Sequence, residues 1–333
     1  MNRIHSIIIF TLGLVAISCQ STEQPLSQEQ AVSPTSRKAW TINGVCYHPV
    51  NQGDTVRSFD RLDQDLELMK AAGINTIRVY EPITEIEVLD KIANAGMRLA
   101  IGFGYNQDSI YDILSGTYID YVKAYKDHPA IGMWELGNEY NYHPEWFGGD
   151  LGRWYDALEE AIDAIHAIDA EHPVSTVHGE IPDSLALYKA RNVDLWGFNV
   201  YRWDLPGSFV EDWRAVSDVP FYFAEVGADS YMTIAKDGFP EGESEEAQAQ
   251  AVAHILKELA PYEDQFEGIV IFSFLDGWWK AGNPNVQDIG GWAPNSSGVP
   301  YDGAPNEEYW GIVKLDRTPK QAYGVVKNYF TKP

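Results

Sequence analysis

Cysteine is scarce in this chain: only Cys19 and Cys46 occur among its 333 residues. Two cysteines cannot build the disulfide framework on which small secreted folds depend. Cys46 lies in an apolar segment, where a lone cysteine packs as a small hydrophobe. Hydrophobic residues make up 45% of the chain, so we expect a large core, rather than cross-links, to stabilise the fold.

Basic residues are also few. The chain has 24 Lys and Arg against 49 Asp and Glu, which gives a formal net charge of −25. Such a surface repels nucleic acid and anionic membranes, so neither is an expected partner, whereas a neutral ligand is easily accommodated. Aromatic residues are common, with 11 Trp and 19 Tyr. Many of these rings must pack in the core, but aromatic rings also stack on the apolar faces of sugars.

The sequence has no motif for a metal or a nucleotide. The histidines show no paired helical spacing, and no His-Glu-x-x-His motif occurs among His48, His128, His143, His166, His172 and His178. The segment 276–288 holds Asn283, Asn285 and Gln287, but their order does not match an EF-hand loop. The segment Gly44–Pro49 replaces the glycine-rich phosphate turn that a nucleotide-binding open sheet needs after its first strand. We therefore expect no metal and no cofactor.

The N-terminus is typical of an exported protein. Arg3 precedes a short apolar run, Ile7–Ile17, that is too short to span a bilayer as a permanent helix. The residues Ala16–Cys19 resemble the lipobox of bacterial lipoproteins, in which the cysteine carries lipid; a plain secretory signal is the alternative. We predict a signal peptide at 1–18, a lipidated Cys19 with a flexible tether at 19–38, and a bacterial cell-envelope lipoprotein whose only membrane contact is the lipid.

From residue 39 to residue 333, strand-like and helix-like patterns alternate without another linker. The predicted strands are Ile42–Tyr47, Thr76–Tyr80, Arg98–Phe103, Ile131–Leu136, Val174–Val177, Leu195–Val200, Pro220–Ala224 and Ile269–Phe274. The predicted helices are Arg61–Ala72, Glu85–Asn94, Ile119–Tyr125, Trp154–Ile168, Ser184–Arg191, Phe209–Ser217, Glu245–Leu259 and Pro319–Tyr329. Eight βα units predict a single (β/α)8 TIM barrel, with a doubly wound open sheet as the competitor.

In such a barrel, the active site lies at the C-terminal ends of the strands. Many of the residues at these positions are polar or aromatic: His48, Arg78, Glu81, Asn138, Glu139, His178, Glu180, Tyr201, Trp203, Glu225, Asp276, Trp278 and Trp279. A barrel that served only as a scaffold would not need so many there.

Two carboxylates suit the hydrolysis of a glycosidic bond. Glu139 follows the fourth predicted strand and Glu225 follows the seventh, so the two can face each other across the end of the barrel. Retaining glycosidases place two carboxyl groups about 5–5.5 Å apart, one as acid and base and the other as nucleophile, while inverting ones leave ~6.5–9.5 Å for a water. Glu135 precedes the strand end, and by alternation we expect it to point elsewhere.

These motifs resemble those of clan A retaining glycoside hydrolases. Trp134–Glu139 is similar to the fourth-strand motif of the clan, and Phe223–Gly227 is similar to its seventh-strand motif. The resemblance implies that Glu139 is the acid/base and Glu225 the nucleophile. It also implies that Asn138 binds the sugar 2-hydroxyl, that Arg78 supports the nucleophile, that Tyr201 hydrogen-bonds it, and that Trp278 or Trp279 lies beneath the cleaved sugar. His48, His178, Glu180 and Trp203 are further candidates for contact with substrate.

Two families within the clan share further segments with this chain. Asp65–Tyr80 and Gly197–Trp203 resemble the fungal β-1,3-glucanosyltransferases, although the cysteines of those enzymes are missing here. Trp278–Trp279 and Asp316–Lys320 look more like the catalytic domain of the β-galactosidase/β-glucuronidase family. The expected activity is hydrolysis of a β-linked polysaccharide or oligosaccharide, with β-1,3-glucan favoured, by a monomer.

Several alternatives stay open at this point. A transglycosidase would use the same residues, and a β-mannan or β-galactoside hydrolase would share the mechanism. A catalytically dead glycan-binding lipoprotein is disfavoured because both glutamates are present. An aldolase or isomerase on an unrelated barrel is disfavoured because no strand-end lysine stands in a Schiff-base position.

Overall fold

The computed structural model describes residues 40–106, 111–202, 205–289, 302 and 305–332. The predicted lipidation site Cys19 and the predicted substrate contact Trp203 lie outside these described residues. Within them, no helix has both the length and the apolar character that a membrane crossing requires.

Strands in the described part of the chain are mostly short and apolar, as β-branched and aromatic residues favour. They are β1 (Ile42–Cys46), β2 (Thr76–Val79), β3 (Arg98–Phe103), β4 (Ile131–Asn138), β5 (Val174–Gly179), β6 (Leu195–Asn199), β7 (Phe221–Val226), β8 (Tyr231–Met232), β9 (Gly242–Glu243) and β10 (Gly268–Ile271). β8 and β9 form a small antiparallel hairpin. The other strands are parallel and close into a barrel in the order β1-β10-β7-β6-β5-β4-β3-β2.

Helices alternate with the barrel strands, as the sequence predicted. They are α1 (Leu62–Ala71), α2 (Ile86–Asn94), α3 (Tyr118–Tyr125), α4 (Leu151–His166), α5 (Ser184–Lys189), α6 (Gly207–Val216), α7 (Glu245–Leu259) and α8 (Gln321–Phe330). Side chains cap three of them, since Asp150, Asp183 and Ser244 each accept a hydrogen bond from a backbone N–H in the first turn. The predicted (β/α)8 barrel is therefore confirmed.

The core has two layers, which follow from the alternation of side chains along each strand. One set of residues fills the barrel interior, including Ala100, Met133, Tyr222 and Val270. The alternate set packs against the helices, including Leu99, Trp134, Phe221 and Ile269. Cys46 belongs to the interior set and is 1% exposed. Burial raises the pKa of its thiol to about 12. The thiol donates to the Ala224 carbonyl at 3.6 Å and accepts from Arg78 Nη1 at 3.8 Å, so it packs in the interior beside the buried guanidinium.

Two bulges interrupt this alternation at the C-terminal end of the barrel. β4 has one residue more than β5 between Leu136 and Asn138, and the extra residue is Gly137 with φ of 72°. β7 has one residue more than both of its neighbours around Ala224. The extra residues change which side chains face inward, because a bulge shifts the period of a strand by one. Asn138 and Glu225 consequently turn toward the barrel axis.

Three strands end at residues other than the predicted ones. β4 was predicted to end at Leu136 but continues to Asn138, and β5 was predicted to end at Val177 but continues to Gly179. β10 was predicted to reach Phe274 but ends at Ile271. The last residues of β4 include polar side chains, because this end of the strand faces a site and not the core. A prediction from apolar residues therefore ended the strand too early.

Candidate active site

A cavity of about 360 Å³ lies at the C-terminal ends of the strands, where the fold predicts the site. Glu139, Glu225, Tyr201, Trp279 and His48 all line it. Glu81 and Asn138 line it as well, so the structure brings together seven of the strand-end residues that the sequence pointed to, at the ends of β1, β2, β4, β6, β7 and β10.

A second cavity, of about 470 Å³, lies beside the first. The two share Tyr80 and Asn138 in their walls. Aromatic residues dominate the far side of the second cavity: Tyr105, Tyr140, Trp146 and Phe147. Most of these rings come from two short 3-10 turns that follow β4, Tyr140–Tyr142 and Pro144–Phe147.

Glu225 is 6% exposed and is fixed through both carboxylate oxygens. Oε1 accepts hydrogen bonds from Arg78 Nη1 at 2.6 Å and from the Tyr80 hydroxyl at 2.6 Å. Oε2 accepts one from the Tyr201 hydroxyl at 2.8 Å. Hydrogen bonds that involve an ionised partner are about twice as strong as neutral ones. The contacts that the sequence predicted for Arg78 and Tyr201 are thus both present, while that of Tyr80 was not predicted.

Arg78 is completely buried beneath the cavity and does not line it. Its Nε and Nη2 donate to Glu135, with the shortest contact at 2.8 Å, and its Nη2 also donates to Asn138 Oδ1 at 2.7 Å. Glu135, which we expected to point elsewhere, lies inside the barrel one layer below the site. Its Oε2 accepts a hydrogen bond from the Tyr222 hydroxyl at 2.7 Å. One guanidinium therefore holds together Glu135, a buried carboxylate in the wall of the second cavity, and Glu225, which lines the first.

Glu139 follows β4 in the left-handed region, with φ of 56°. Its backbone N–H donates to the Val177 carbonyl at 3.0 Å, and its Oε1 accepts from Asn199 Nδ2 at 2.9 Å. Burial, and to a smaller extent the negative charge of Glu225, raise the pKa of Glu139 to about 7. Glu139 therefore keeps its proton to a higher pH than an ordinary glutamate, which is almost fully ionised at neutral pH.

Asn138 presents its amide nitrogen to the cavity. Its Oδ1 accepts from both Arg78 Nη2 and Asn199 Nδ2, the latter at 3.1 Å. A guanidinium can only donate, so the atom facing Arg78 must be the oxygen. The amide NH₂ is thus left for a hydroxyl of a ligand, and the role predicted for Asn138 in binding the sugar 2-hydroxyl stays a prediction.

Aromatic rings form the wall opposite β4. Trp279 packs against the His48 ring with centroids 4.5 Å apart, and Tyr201 packs edge-on against Trp310 at 5.3 Å. Burial, with Arg57 and Lys280 nearby, lowers the pKa of His48 to about 4, so the imidazole is neutral at physiological pH. The rings offer apolar faces on which a sugar can stack.

Three predicted contacts are not brought to either cavity. His178 is 6% exposed and faces the helices: its Nε2 lies 3.2 Å from the Tyr155 hydroxyl, and its Nδ1 bonds backbone carbonyls. Glu180 pairs instead with Arg202 at 2.7 Å. Trp278 does not line the cavity that Trp279 lines. Alternation explains His178, since Val177 before it faces the barrel interior.

Sequence reasoning missed four residues of this site. Tyr80 directly follows β2, Asn199 ends β6, and Trp310 and Glu307 come from the irregular segment before α8. The position of Tyr80, next to the second-strand arginine, is a signal that could have identified it. Trp310 and Glu307 carried no such signal. In the part of the chain that the structure describes, no group of three or more His, Cys, Asp or Glu side chains could hold a metal ion.

The arrangement is able to move a proton and to form a covalent bond. Glu139 can exchange a proton near neutral pH because of its raised pKa. Glu225 presents a carboxylate that three donors hold in place. Both open into the same cavity, between ring faces and the amide of Asn138.

The chain is similar to one curated protein and to several solved structures. No protein-family model matches the chain. It is 22% identical over 291 residues to a putative beta-glucuronidase from Formosa agariphila. The matched region covers 81% of this chain and 34% of that protein. Among solved structures, it is similar to a GH2 beta-galacturonidase from Eisenbergiella tayi bound to galacturonate, with a TM-score of 0.64, 21% identity, and coverage of 88% of this chain and 51% of that chain.

A beta-D-glucuronidase from Dictyoglomus thermophilum gives a TM-score of 0.62 at 18% identity, with the same coverage of 88% and 51%. The chain thus spans about a third of the curated relative and about half of these solved chains. Similarity at this level shows a shared fold. It confirms the predicted resemblance to the catalytic barrel of the β-galactosidase/β-glucuronidase family.

Proposed function

We propose that this chain is a retaining β-glycoside hydrolase that acts by double displacement, with Glu225 as nucleophile and Glu139 as acid/base. One observation carries the proposal: a carboxyl with a pKa near 7 and a carboxylate held by three donors line one cavity at the C-terminal end of the barrel. Retaining glycosidases need one carboxyl group that is protonated and acts as the acid, and one that is ionised and acts as the nucleophile.

In the first step, Glu225 attacks the anomeric carbon while Glu139 donates its proton to the leaving oxygen, which gives a covalent glycosyl-enzyme. In the second step, Glu139 takes a proton from a water that attacks the same carbon, and Glu225 leaves. Arg78, Tyr80 and Tyr201 aim the attacking carboxylate. The amide of Asn138 supplies a donor for the 2-hydroxyl, a contact that strengthens as charge develops on the ring.

The second cavity favours a substrate of more than one sugar. Its aromatic wall suits the stacking of an adjacent ring, and Tyr80 and Asn138 connect it to the first cavity. We infer that the substrate is a β-linked oligosaccharide or polysaccharide, and β-1,3-glucan is the first polysaccharide to test. The names of the relatives, beta-glucuronidase and beta-galacturonidase, make β-linked uronic acids the second class to test.

The test measures turnover of aryl β-glycosides and of a polysaccharide panel by the protein and by two variants. Glu225→Ala and Glu139→Ala should each lose nearly all activity, while Glu87→Ala, on the exposed face of α2, should lose none. Azide should restore turnover by Glu225→Ala and give a product that is inverted at the anomeric carbon. The reason is that azide attacks from the side where the carboxylate stood, opposite the leaving group. Full activity in either glutamate variant would overturn the assignment.

Adding acceptor sugars to the same assay separates hydrolysis from transfer. A hydrolase releases free sugar at a rate that acceptors leave unchanged, whereas a transglycosidase forms longer products from the same glycosyl-enzyme.

We also propose that the mature protein is anchored to the bacterial cell envelope through lipid on Cys19. Metabolic labelling with a fatty acid should mark the intact chain and leave Cys19→Ser unmarked.

A further inference from the structure

The cavity that holds Glu139 and Glu225 is strongly acidic. Four acidic side chains line it, those of Glu81, Glu139, Glu225 and Glu307, of which Glu225 is paired with the buried Arg78. Lys280 is the single cationic side chain among the described lining residues. His48 is neutral at physiological pH, because its pKa is lowered to about 4. Any further negative charge brought in by a ligand therefore meets an acidic wall.

Lys280 is already neutralised inside the cavity. Its Nζ lies 2.9 Å from Glu307 Oε2 and 4.3 Å from the centroid of the Phe272 ring. The two paired side chains are 21% and 30% exposed, so water screens the pair only in part. A carboxylate on a ligand would have to compete with Glu307 for this ammonium group.

The deeper cation cannot take that place. Arg78 has no exposed surface, and its donors are directed at Glu135, Glu225 and Asn138. Removing it from those partners to bind a ligand would leave two buried carboxylates unpaired, a cost that a single ion pair with the ligand cannot offset. Arg78 therefore offers no binding group to an anionic sugar.

We propose that the site selects neutral sugars over uronic acids at the position of the cleaved residue, and that Glu307 enforces this choice by occupying Lys280. The proposal rests on the proposed function and narrows its substrate class to β-glycosides whose C6 carries a hydroxymethyl group or no charge. It separates this chain from the relatives whose names contain uronic acids, although the barrel is shared. Glu307 is thus a specificity-determining residue that sequence motifs did not reveal.

The experiment uses two ligands that differ only at C6, D-glucono-1,5-lactam and D-glucaro-1,5-lactam, the second of which carries a carboxylate. Affinities are measured by calorimetry for the full chain, for Glu307→Gln, for Lys280→Met and for the double variant, with Glu87→Gln as the surface control. Binding does not need turnover, so the result is independent of whether the protein hydrolyses any glycoside tested.

The parent protein should bind the neutral lactam at least about tenfold more tightly than the anionic one, as expected for one uncompensated charge in a partly hydrated site. Glu307→Gln should shift the ratio toward the anionic lactam by about tenfold, because it frees Lys280. The double variant should lose that gain, and Lys280→Met alone should not show it.

Preference of the parent protein for the anionic lactam, or an unchanged ratio in Glu307→Gln, would overturn the proposal. Binding of neither lactam would overturn it as well, since the cavity would then not be a sugar site. Loss of the hydrolase proposal has a different signature: the lactams would be discriminated as expected while no aryl β-glycoside is turned over.

Discussion

Arg78 and Glu225 form an ion pair of 2.6 Å between Nη1 and Oε1, in which the guanidinium is completely buried. Because the same guanidinium also binds Glu135 at 2.8 Å, the pair belongs to the barrel interior as much as to the cavity. Changes at this pair should therefore alter folding stability and activity together.

Replacing Arg78 by Met should abolish activity and destabilise the protein by about 3–5 kcal/mol, because two buried carboxylates lose their cation. Urea unfolding measures the free energy of unfolding, and aryl glycoside turnover measures the activity. Lys91→Met is the control: it breaks an exposed pair with Asp63, in which the side chains are 48% and 74% exposed, and should cost less than about 1 kcal/mol. Equal losses in the two variants would contradict the role of Arg78.

The tyrosine hydroxyls offer a comparison between two layers of the barrel. Tyr201→Phe and Tyr80→Phe each remove a donor to Glu225 and should lower kcat/KM by about 10- to 100-fold, the value of one hydrogen bond to a charged group. Tyr222→Phe removes a similar donor from Glu135, one layer lower. It should reduce stability with a much smaller kinetic effect. A rate loss in Tyr222→Phe as large as in Tyr201→Phe would rule out this separation.

The pH profile of kcat/KM should fall on its alkaline side near pH 7. The general acid must carry its proton, and the pKa of Glu139 is raised to about 7, so rising pH removes the active form. Glu307→Gln removes a negative charge that raises this pKa, and should move the alkaline limb to lower pH. Asn199→Ala removes a donor to the anion and should move the limb to higher pH. Limbs that stay in place would exclude Glu139 as the acid.

Gly137 should tolerate no side chain. Its φ is 72°, and an added Cβ would lie 2.6 Å from Cζ2 of Trp154. We expect Gly137→Ala to displace the bulge, with Asn138 and Glu139, and to lose most activity as well as stability. Gly96→Ala is the control: φ is 81° there, but an added Cβ meets nothing within 4 Å. Thermal unfolding should show that this variant loses only the stability that backbone strain costs, roughly 1–2 kcal/mol. Its kcat/KM should be unchanged.

The bulges also explain how far sequence reasoning could reach. Alternating βα patterns were enough for the barrel, since they reflect burial that the whole fold shares. Motif resemblance pointed to Glu139 and Glu225, yet strict alternation from Ala224, which faces the interior, would turn Glu225 outward. A bulge depends on how a strand pairs with neighbouring strands that lie far away in the sequence. A local sequence pattern therefore does not predict it.

The missed residues and the misplaced His178 differ in what the sequence shows of them. His178 follows a residue that faces the interior, so alternation was sufficient to place it outside; position at a strand end alone was too coarse a criterion. Trp310 and Glu307 reach the cavity from a segment without regular structure, where neither period nor motif applies. Such residues become visible only through tertiary contacts.

The second cavity leads to a prediction about chain length. Trp146 lines it and is 55% exposed, with its ring stacked on His143 at 3.9 Å. Trp146→Ala should lower kcat/KM for oligosaccharides by about tenfold, the value of one stacking contact, and leave aryl monoglycosides unaffected. Tyr188→Ala, on α5 and 73% exposed, is the matched control and should change neither. An equal loss on both substrate types would show that Trp146 supports the fold instead.

The placement of Arg78 has a practical consequence for protein engineering. A library that randomises the inward positions of β2, β4 and β7 would return mostly unfolded chains, since a single guanidinium ties those strands to one another. Diversity placed at residues 140–147, 277–280 and 305–310 would leave that tie intact and vary the walls of both cavities. New specificities should therefore be sought in these connecting segments, with the strands held constant.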